Sequence, residues 1–365
     1  MVRTRFLLAV LAVALAAGGC GFSGGGLPGT TSTTTPTTTS TTSPSGSTTT
    51  LPIGGGGSGG TGESTGIGGT GSTWTLEAFK PTDPSQFSGR AGHNLYVFNN
   101  KLWVVAGLSG SLYKNDVWSS ADGSSWTEEV SSAGFSPRFN AIGAVFDGGS
   151  GSKMWLIGGV GGTTYNNEIW NSADGVTWTL AGNTAFSSRE GAVCLNFNSK
   201  LWIIGGKTVD GSYESSVWSS GDGLTWTQAT AAAAFAPRFE HAGAVFGGQM
   251  WIAGGYDGSA ALNDVWSSSD GVTWTRATAS ANFAARDGHS FLVYNNLLWI
   301  IGGHSTTTIY GDIWSSSDGA AWTLVNNNLD FTKRFLHRCE VFSGAMWLTG
   351  GTNGTTYFND VLMAR

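Results

Sequence analysis

The stretch NDVWSSADGSSWT, Asn115 to Thr127, returns four times: as NEIWNSADGVTWT from Asn167, SSVWSSGDGLTWT from Ser215, NDVWSSSDGVTWT from Asn263 and GDIWSSSDGAAWT from Gly311. Its closing tryptophans, Trp126, Trp178, Trp226, Trp274 and Trp322, lie 52, 48, 48 and 48 residues apart. A self-similar period near ~50 residues marks a tandem array in which each repeat is one supersecondary unit. Inside the phrase, the Asp-Gly step is a strong signal for a tight hairpin, because such turns need positive φ. The tryptophan-bearing segments on either side of it therefore read as two antiparallel strands.

Working outward, a second phrase sits between these hairpins. An arginine (Arg90, Arg138, Arg189, Arg238, Arg286, Arg334) opens a short apolar run and a turn, and an apolar strand follows. Those strands are LWVVAG from Leu102, MWLIGG from Met154, LWIIGG from Leu201, MWIAGG from Met250, LWIIGG from Leu298 and MWLTGG from Met346. Short β-rich runs punctuated by Gly, Asn and Asp are strands, so each repeat offers four. The first three kinds occur six times, whereas the fourth follows the third only five times. Ser72 to Leu76, around Trp74, matches the missing fourth strand, and residues 359–362 are a third strand without one. Docking the strand around Trp74 onto the last repeat closes a ring and removes two sheet edges. The expectation is an all-β, six-bladed propeller over 73–365, four antiparallel strands per blade.

This pattern resembles the kelch family, through Gly158-Gly159, Gly205-Gly206, Gly254-Gly255, Gly302-Gly303 and Gly350-Gly351 and the tryptophans downstream. The first repeat departs with Ala106-Gly107, and the sixth has Leu362 where the other third strands carry Trp. The S-x-D-G-x-x-W phrase is also similar to the Asp-box turn of sialidase-like propellers, but one residue shorter between Asp and Gly, and reads as convergence on a turn.

Ahead of the array, residues 1–20 carry Arg3 and Arg5, an apolar run from Phe6 to Ala17, and small residues before Cys20. That is a secretory signal; the run is short of the ~20 apolar residues that span a bilayer. Its end resembles a bacterial lipobox, which implies lipidation of Cys20 and a secreted protein anchored to a bacterial membrane. Residues 21–72 are almost wholly Gly, Ser, Thr and Pro, a composition that cannot bury a core. As a flexible coil of roughly 50 residues this linker reaches on the order of 40 Å. Cys194 and Cys339, in different repeats, are too few for a disulfide framework and read as buried thiols. A formal net charge of -6 with 12% charged residues and no basic tract argues against a nucleic-acid partner. Nothing calls for a cofactor or a metal, and the chain reads as a monomer whose contact with a membrane is the lipid alone.

All 17 tryptophans fall on repeat positions, which makes them packing units between sheets rather than sugar-stacking platforms. His93, His241, His289 and His337 each stand three residues after their arginine and likewise read as scaffold. The arginines are expected to ring the mouth of a central channel, where six guanidiniums would attract carboxylates. In kelch proteins that capture acidic peptides, arginines at comparable positions make the contacts. An alternative pairs each with the acid recurring on the third strand: Asp116, Glu168, Asp264, Asp312 and Asp360, with Ser216 in the third repeat. The loops between second and third strands do not repeat, and Lys207, Tyr256 and His304 open three consecutive ones. They mark a polar pocket on the same face.

Two function classes follow. The first is a binding module whose loop face takes a protein, a peptide or an anionic glycan. The second is a sugar-processing enzyme resembling the kelch-type sialic acid epimerase, with Glu190 or Glu240 as acid or base and the arginines holding the substrate carboxylate. A copper oxidase similar to galactose oxidase lacks matching residues around Cys194 and Cys339. Fold alone cannot choose, because propellers host many functions.

Overall fold

The computed structural model describes residues 74–75, 87–326 and 331–365. The signal sequence, Cys20 and the linker lie outside these residues. Six sheets of four antiparallel strands follow one another along the chain. Blade one comprises Asn94–Phe98, Lys101–Ser109, Leu112–Ser120 and Thr127–Val130, and blade four Ala242–Phe246, Gln249–Ala253, Val265–Ser268 and Thr275–Thr278. Blade six is built from Arg338–Phe342, Ala345–Thr349 and Val361–Ala364, and its outer strand is Trp74–Thr75. Trp74 pairs with Ala364 and Thr75 with Met363, so the earliest described strand closes the ring as expected. The inner strands of successive blades touch all the way round, blade six meeting blade one. No helix occurs among the described residues.

The hydrophobic core lies between neighbouring sheets. Between blades three and four, Val193, Leu195, Trp202, Ile204, Val217 and Phe235 pack against Met250, Ile252, Trp266 and Trp274. Trp126, Trp178, Trp226, Trp274 and Trp322 each meet the edge of the phenylalanine three residues before the arginine that opens the same blade, as Trp274 meets Phe235 at 5.1 Å and Trp322 meets Phe283 at 5.3 Å. Perpendicular aromatic contacts of this kind add to the area each ring buries. The Asp-Gly turns are held by their own phrase. In blade three, Ser220 Oγ accepts the Gly223 amide at 2.8 Å, and Asp222 Oδ1 accepts those of Leu224 and Thr225 at 2.8 and 2.6 Å.

The histidines of the arginine phrase join one blade to the next. His93 Nε2 lies 2.8 Å from Thr349 Oγ1 of blade six, and the rings of His241 and His289 lie against Gly205 and Gly254 of the preceding blade. The Gly pairs make room for them. A Cβ on Gly254 would stand 2.8 Å from Cε1 of His289, and one on Gly255 2.7 Å from Cβ of His241. Blades two and three have Ala141 and Ala192 instead of a histidine; the blade before blade two carries Ala106 in place of the first glycine, whereas the one before blade three keeps Gly158.

Candidate functional site

The six arginines do not form an open mouth, which corrects the expectation drawn from their position. Arg90, Arg138, Arg238, Arg286 and Arg334 are fully buried and Arg189 nearly so. Each lies inside its own blade, five of them against the third-strand acid. Arg238 Nη1 and Nη2 donate to Asp264 at 2.7 and 2.9 Å, and Nη1 also donates to the Gly254 carbonyl at 2.8 Å. Asp116, Asp312 and Asp360 pair in the same way with Arg90, Arg286 and Arg334, and Glu168 accepts a single bond from Arg138 Nη2 at 2.6 Å. Burial pushes the Asp264 carboxyl up, but Arg238 more than reverses that and holds it below the usual range. The guanidiniums rest on the phenylalanines three residues before them, 4.9 Å away for Arg189 on Phe186 and 5.6 Å for Arg238 on Phe235. The guanidiniums are therefore turned into the blades and are not presented at an open channel mouth.

Blade three is the exception within this layer. Arg189 donates to Ser216 Oγ at 3.2 Å, and that hydroxyl donates to Glu214 Oε2 at 2.8 Å. The acid is displaced by two residues and works through a hydroxyl. Trp218 Nε1, whose counterpart Trp266 donates to Asp264 at 2.7 Å, has no acceptor there.

One residue further along, a second layer begins. Ala91, Phe139, Glu190, Phe239, Asp287 and Phe335 pair through backbone with the residues that open the second-to-third loops: Leu108, Val160, Lys207, Tyr256, His304 and Thr352. These twelve residues form the wall of a funnel around the axis. In blades six, one and two the wall is apolar: Ala91, Leu108, Phe139, Val160 and Leu336 pack together, with Tyr113, Tyr165, Phe335 and Tyr357 against them.

In blades three to five it carries Glu190 and Lys207, then the aromatic pair Phe239 and Tyr256, then Asp287 and His304. Lys207 Nζ stands 3.8 Å from Glu190 Oε1 and 5.6 Å from the centre of the Phe239 ring. Tyr165 donates to the same Glu190 oxygen at 2.7 Å. His304 stacks on Phe335 at 3.9 Å, with Nδ1 2.5 Å from Asp287 Oδ1. Burial lowers the His304 pKa, but Asp287 outweighs it and the net movement is upward. Tyr256 meets Phe239 and Tyr213 edge-on at 6.2 and 6.1 Å.

The floor of the funnel is a closed ring of backbone hydrogen bonds made by the residues two after each arginine. The amide of Gly92 donates to Leu336, Asn140 to Gly92, Gly191 to Asn140, Glu240 to Gly191, Gly288 to Glu240 and Leu336 to Gly288, at 2.7 to 3.3 Å. All six have φ between 51° and 60°, a region costly for side-chain-bearing residues and often found at functional sites. Glycine alternates with a side chain around the ring because Phe139, Phe239 and Phe335 lie over the glycines. A Cβ on Gly92 would stand 2.3 Å from the Phe139 ring, and one on Gly191 3.1 Å from Phe239. The remaining side chains, Asn140, Glu240 and Leu336, meet near the axis.

Asn140 Nδ2 donates to Glu240 Oε1 at 2.8 Å, whereas Glu240 Oε2 and Asn140 Oδ1 have no partner despite being buried. Burial and the nearby Asp287 and Glu190 push the Glu240 carboxyl up to about 7, against an opposing pull from His304. Glu190 is also raised, by burial, although Tyr165 and Lys207 pull it down. Ring and inner strands line a cavity of about 170 Å³ that also includes Asn94, His289, Ser290 and Arg338. Among the described residues no three His, Cys, Asp or Glu side chains are placed to hold a metal ion. Cys194 and Cys339 are unpaired thiols pushed up to about 12 by burial.

The KLHDC2/KLHL20/DRC7 Kelch-repeats domain matches residues 150–351 of this chain. The chain belongs to the kelch-repeat family. The match spans the last part of blade two to blade six, and the remaining blades repeat the same arginine, Gly-pair and tryptophan positions. A search of curated proteins finds no match. Kelch propellers generally mediate protein interactions, and the unrepeated funnel is where this propeller differs from blade to blade.

The sequence also held a signal for Asn140, Asp287 and the three funnel phenylalanines. Read around the ring, R-A-G, R-F-N, R-E-G, R-F-E, R-D-G and R-F-L alternate strictly. Repeat comparison, which looks for what all six share, passes over a pattern that holds in every second blade.

Proposed function

We propose that this kelch propeller is a binding module that docks a polypeptide partner on the funnel, and that it is secreted and held at a bacterial membrane through lipid on Cys20. The observation carrying the docking is the apolar and aromatic half of the funnel wall, where Tyr113, Tyr165, Phe335 and Tyr357 flank Phe139 and Val160 at the loop end of the blades. Tyrosines offer apolar area with a polar tip, which suits exposed recognition surfaces. Secretion and anchoring rest on residues 1–20, and residues 21–72 would serve as the tether.

Peptides selected by display on the full chain test the docking. They are expected to lose most of their binding to a Tyr165→Ala, Tyr357→Ala variant. They should be retained by Leu224→Ala, at an exposed position in the Asp-Gly turn at the other end of blade three. Selected peptides indifferent to the funnel pair would remove the reading. Radiolabelled fatty acid incorporated by the cell-made protein, and absent from Cys20→Ala, checks the anchor.

A further inference from the structure

We infer that the funnel floor takes a protonated amine or guanidinium of the docked partner, received by Glu240 with Asn140 and Glu190. This deepens the docking reading and rests on it.

Three carboxylates of consecutive blades, Glu190, Glu240 and Asp287, converge here, all at least nine-tenths buried. Two have compensation of their own: Lys207 and Tyr165 stand on Glu190, and His304 stands on Asp287. Glu240 accepts a hydrogen bond from the Asn140 amide alone, which leaves its Oε2 without a donor, and the positive groups acting on it, His304 and Arg338, do so without a hydrogen bond. Independently of the acids, Asn140 Oδ1, on a side chain 2% exposed, is a second acceptor with no donor. Unfilled buried acceptors call for N–H or O–H groups, and a buried carboxylate calls for positive charge.

The walls narrow the choice. Phe139, Phe239 and Phe335 border this floor, and aromatic faces attract organic cations by about 0.5 to 2 kcal/mol. An ammonium or guanidinium entering from the funnel side meets the acceptors and the rings together; the cavity of about 170 Å³ that Asn140 and Glu240 also line lies against the inner strands and includes neither the phenylalanines nor Glu190. The groups acting on Glu240 are Asp287 and Glu190, which raise it, and His304, which lowers it; Arg338 faces it from blade six. A cation bound at Glu240 favours its ionised form, so binding releases a proton and weakens as the pH falls through neutrality.

The probes are N-acetylated peptide amides carrying one lysine, one arginine or one norleucine, and an unblocked alanine peptide whose only charge is its terminal ammonium. Isothermal titration of the full chain is expected to show binding of the lysine or arginine peptide and none of the norleucine peptide at equal concentration. A terminal amine as the natural source would show instead as binding of the alanine peptide. Glu240→Gln should weaken the best cationic probe about 10-fold or more, as loss of a charged hydrogen bond implies. It should also flatten the fall in affinity between about pH 8 and about pH 5.5, while Glu240→Asp keeps part of both. Equal binding of norleucine and lysine peptides, or unchanged affinity in Glu240→Gln, overturns the inference. Should the norleucine peptide bind and the funnel tyrosines matter for it, docking survives and only the cation site falls. Absence of binding by every probe removes both.

Discussion

Two buried charged residues of blade four, Arg238 and Glu240, stand two positions apart and live by different rules. Arg238 finds its partners inside its own sheet, Asp264 and the Gly254 carbonyl, and the same kind of solution recurs in every blade but the third. Glu240 faces the axis, where six blades meet at once. Six copies of any side chain would collide there, so glycines alternate with Asn140, Glu240 and Leu336, and no two of those three are alike. Repetition stops where the symmetry axis makes it impossible, and chemistry that is not scaffold has room to appear.

The largest effect should come from breaking the repeated layer. Arg238→Met leaves the Asp264 carboxylate inside the blade without its counter-ion, and removing one partner of a buried pair costs about 3–5 kcal/mol. Arg189→Met removes the donor from the Ser187 and Gly205 carbonyls and from Ser216 Oγ, which still donates to Glu214, for which ~1–3 kcal/mol is expected. Urea unfolding of the two variants gives the comparison directly. Equal losses would mean that Glu214, acting through Ser216, completes blade three as fully as Asp264 completes blade four.

The difference between the layers also explains what could be read in advance. Blade number, strand order and closure at Trp74 were legible because the hairpin phrase and the Gly pairs repeat, and repetition is a statistical signal needing no coordinates. The arginines repeat as well, and for that reason they turned out to be structural: a residue whose neighbours recur in every blade finds its partners there. Depth was the missing quantity. Nothing in R-x-x-H says whether the guanidinium points to the channel or back across its own sheet. Lys207, Tyr256 and His304 were found because their loops differ. Asn140 and Asp287 were missed because their pattern has a period of two blades.

The histidines sharpen the comparison through pH. His289 is fully buried, and burial and the Arg286 charge lower its pKa to about 3. Unfolded, it would take up a proton near 6.5, so its contribution is complete above that value and shrinks as the pH falls through it. At about pH 5 the loss amounts to about 2 kcal/mol, and it ends only where the folded form itself protonates. Glu240 and Glu340, both raised to about 7, act in the opposite direction over the same range, so the total slope is a poor measure. The informative quantity is the stability of His289→Gln relative to the parent, by urea unfolding at about pH 7 and about pH 5. Relative to the parent, the variant should gain about 2 kcal/mol on acidification; no relative gain would mean that His289 holds its proton in the folded ring. Asp116, Glu168, Asp264 and Asp312, held low beside their arginines, should cost stability only below about pH 4, which separates the two layers on the pH axis.

The smallest effect concerns the seam where the layers join. Gly254 has φ 59°, and a Cβ there would stand 2.6 Å from the Arg286 carbonyl and 2.8 Å from His289 Cε1. Gly254→Ala is therefore expected to cost about 1–3 kcal/mol, one part for the left-handed backbone and one for displacing the imidazole. Only the second part depends on His289. In blade one the same position is Ala106, also with positive φ, and the residue facing it in blade two is Ala141. If histidine size is what excludes the methyl, then Gly254→Ala should cost less in a His289→Ala background, by about 0.5–1.5 kcal/mol as coupled neighbours show. Additive losses would instead place the whole penalty on the backbone and on the carbonyl of Arg286. Blade one would then tolerate Ala106 through its own backbone geometry rather than through the missing histidine.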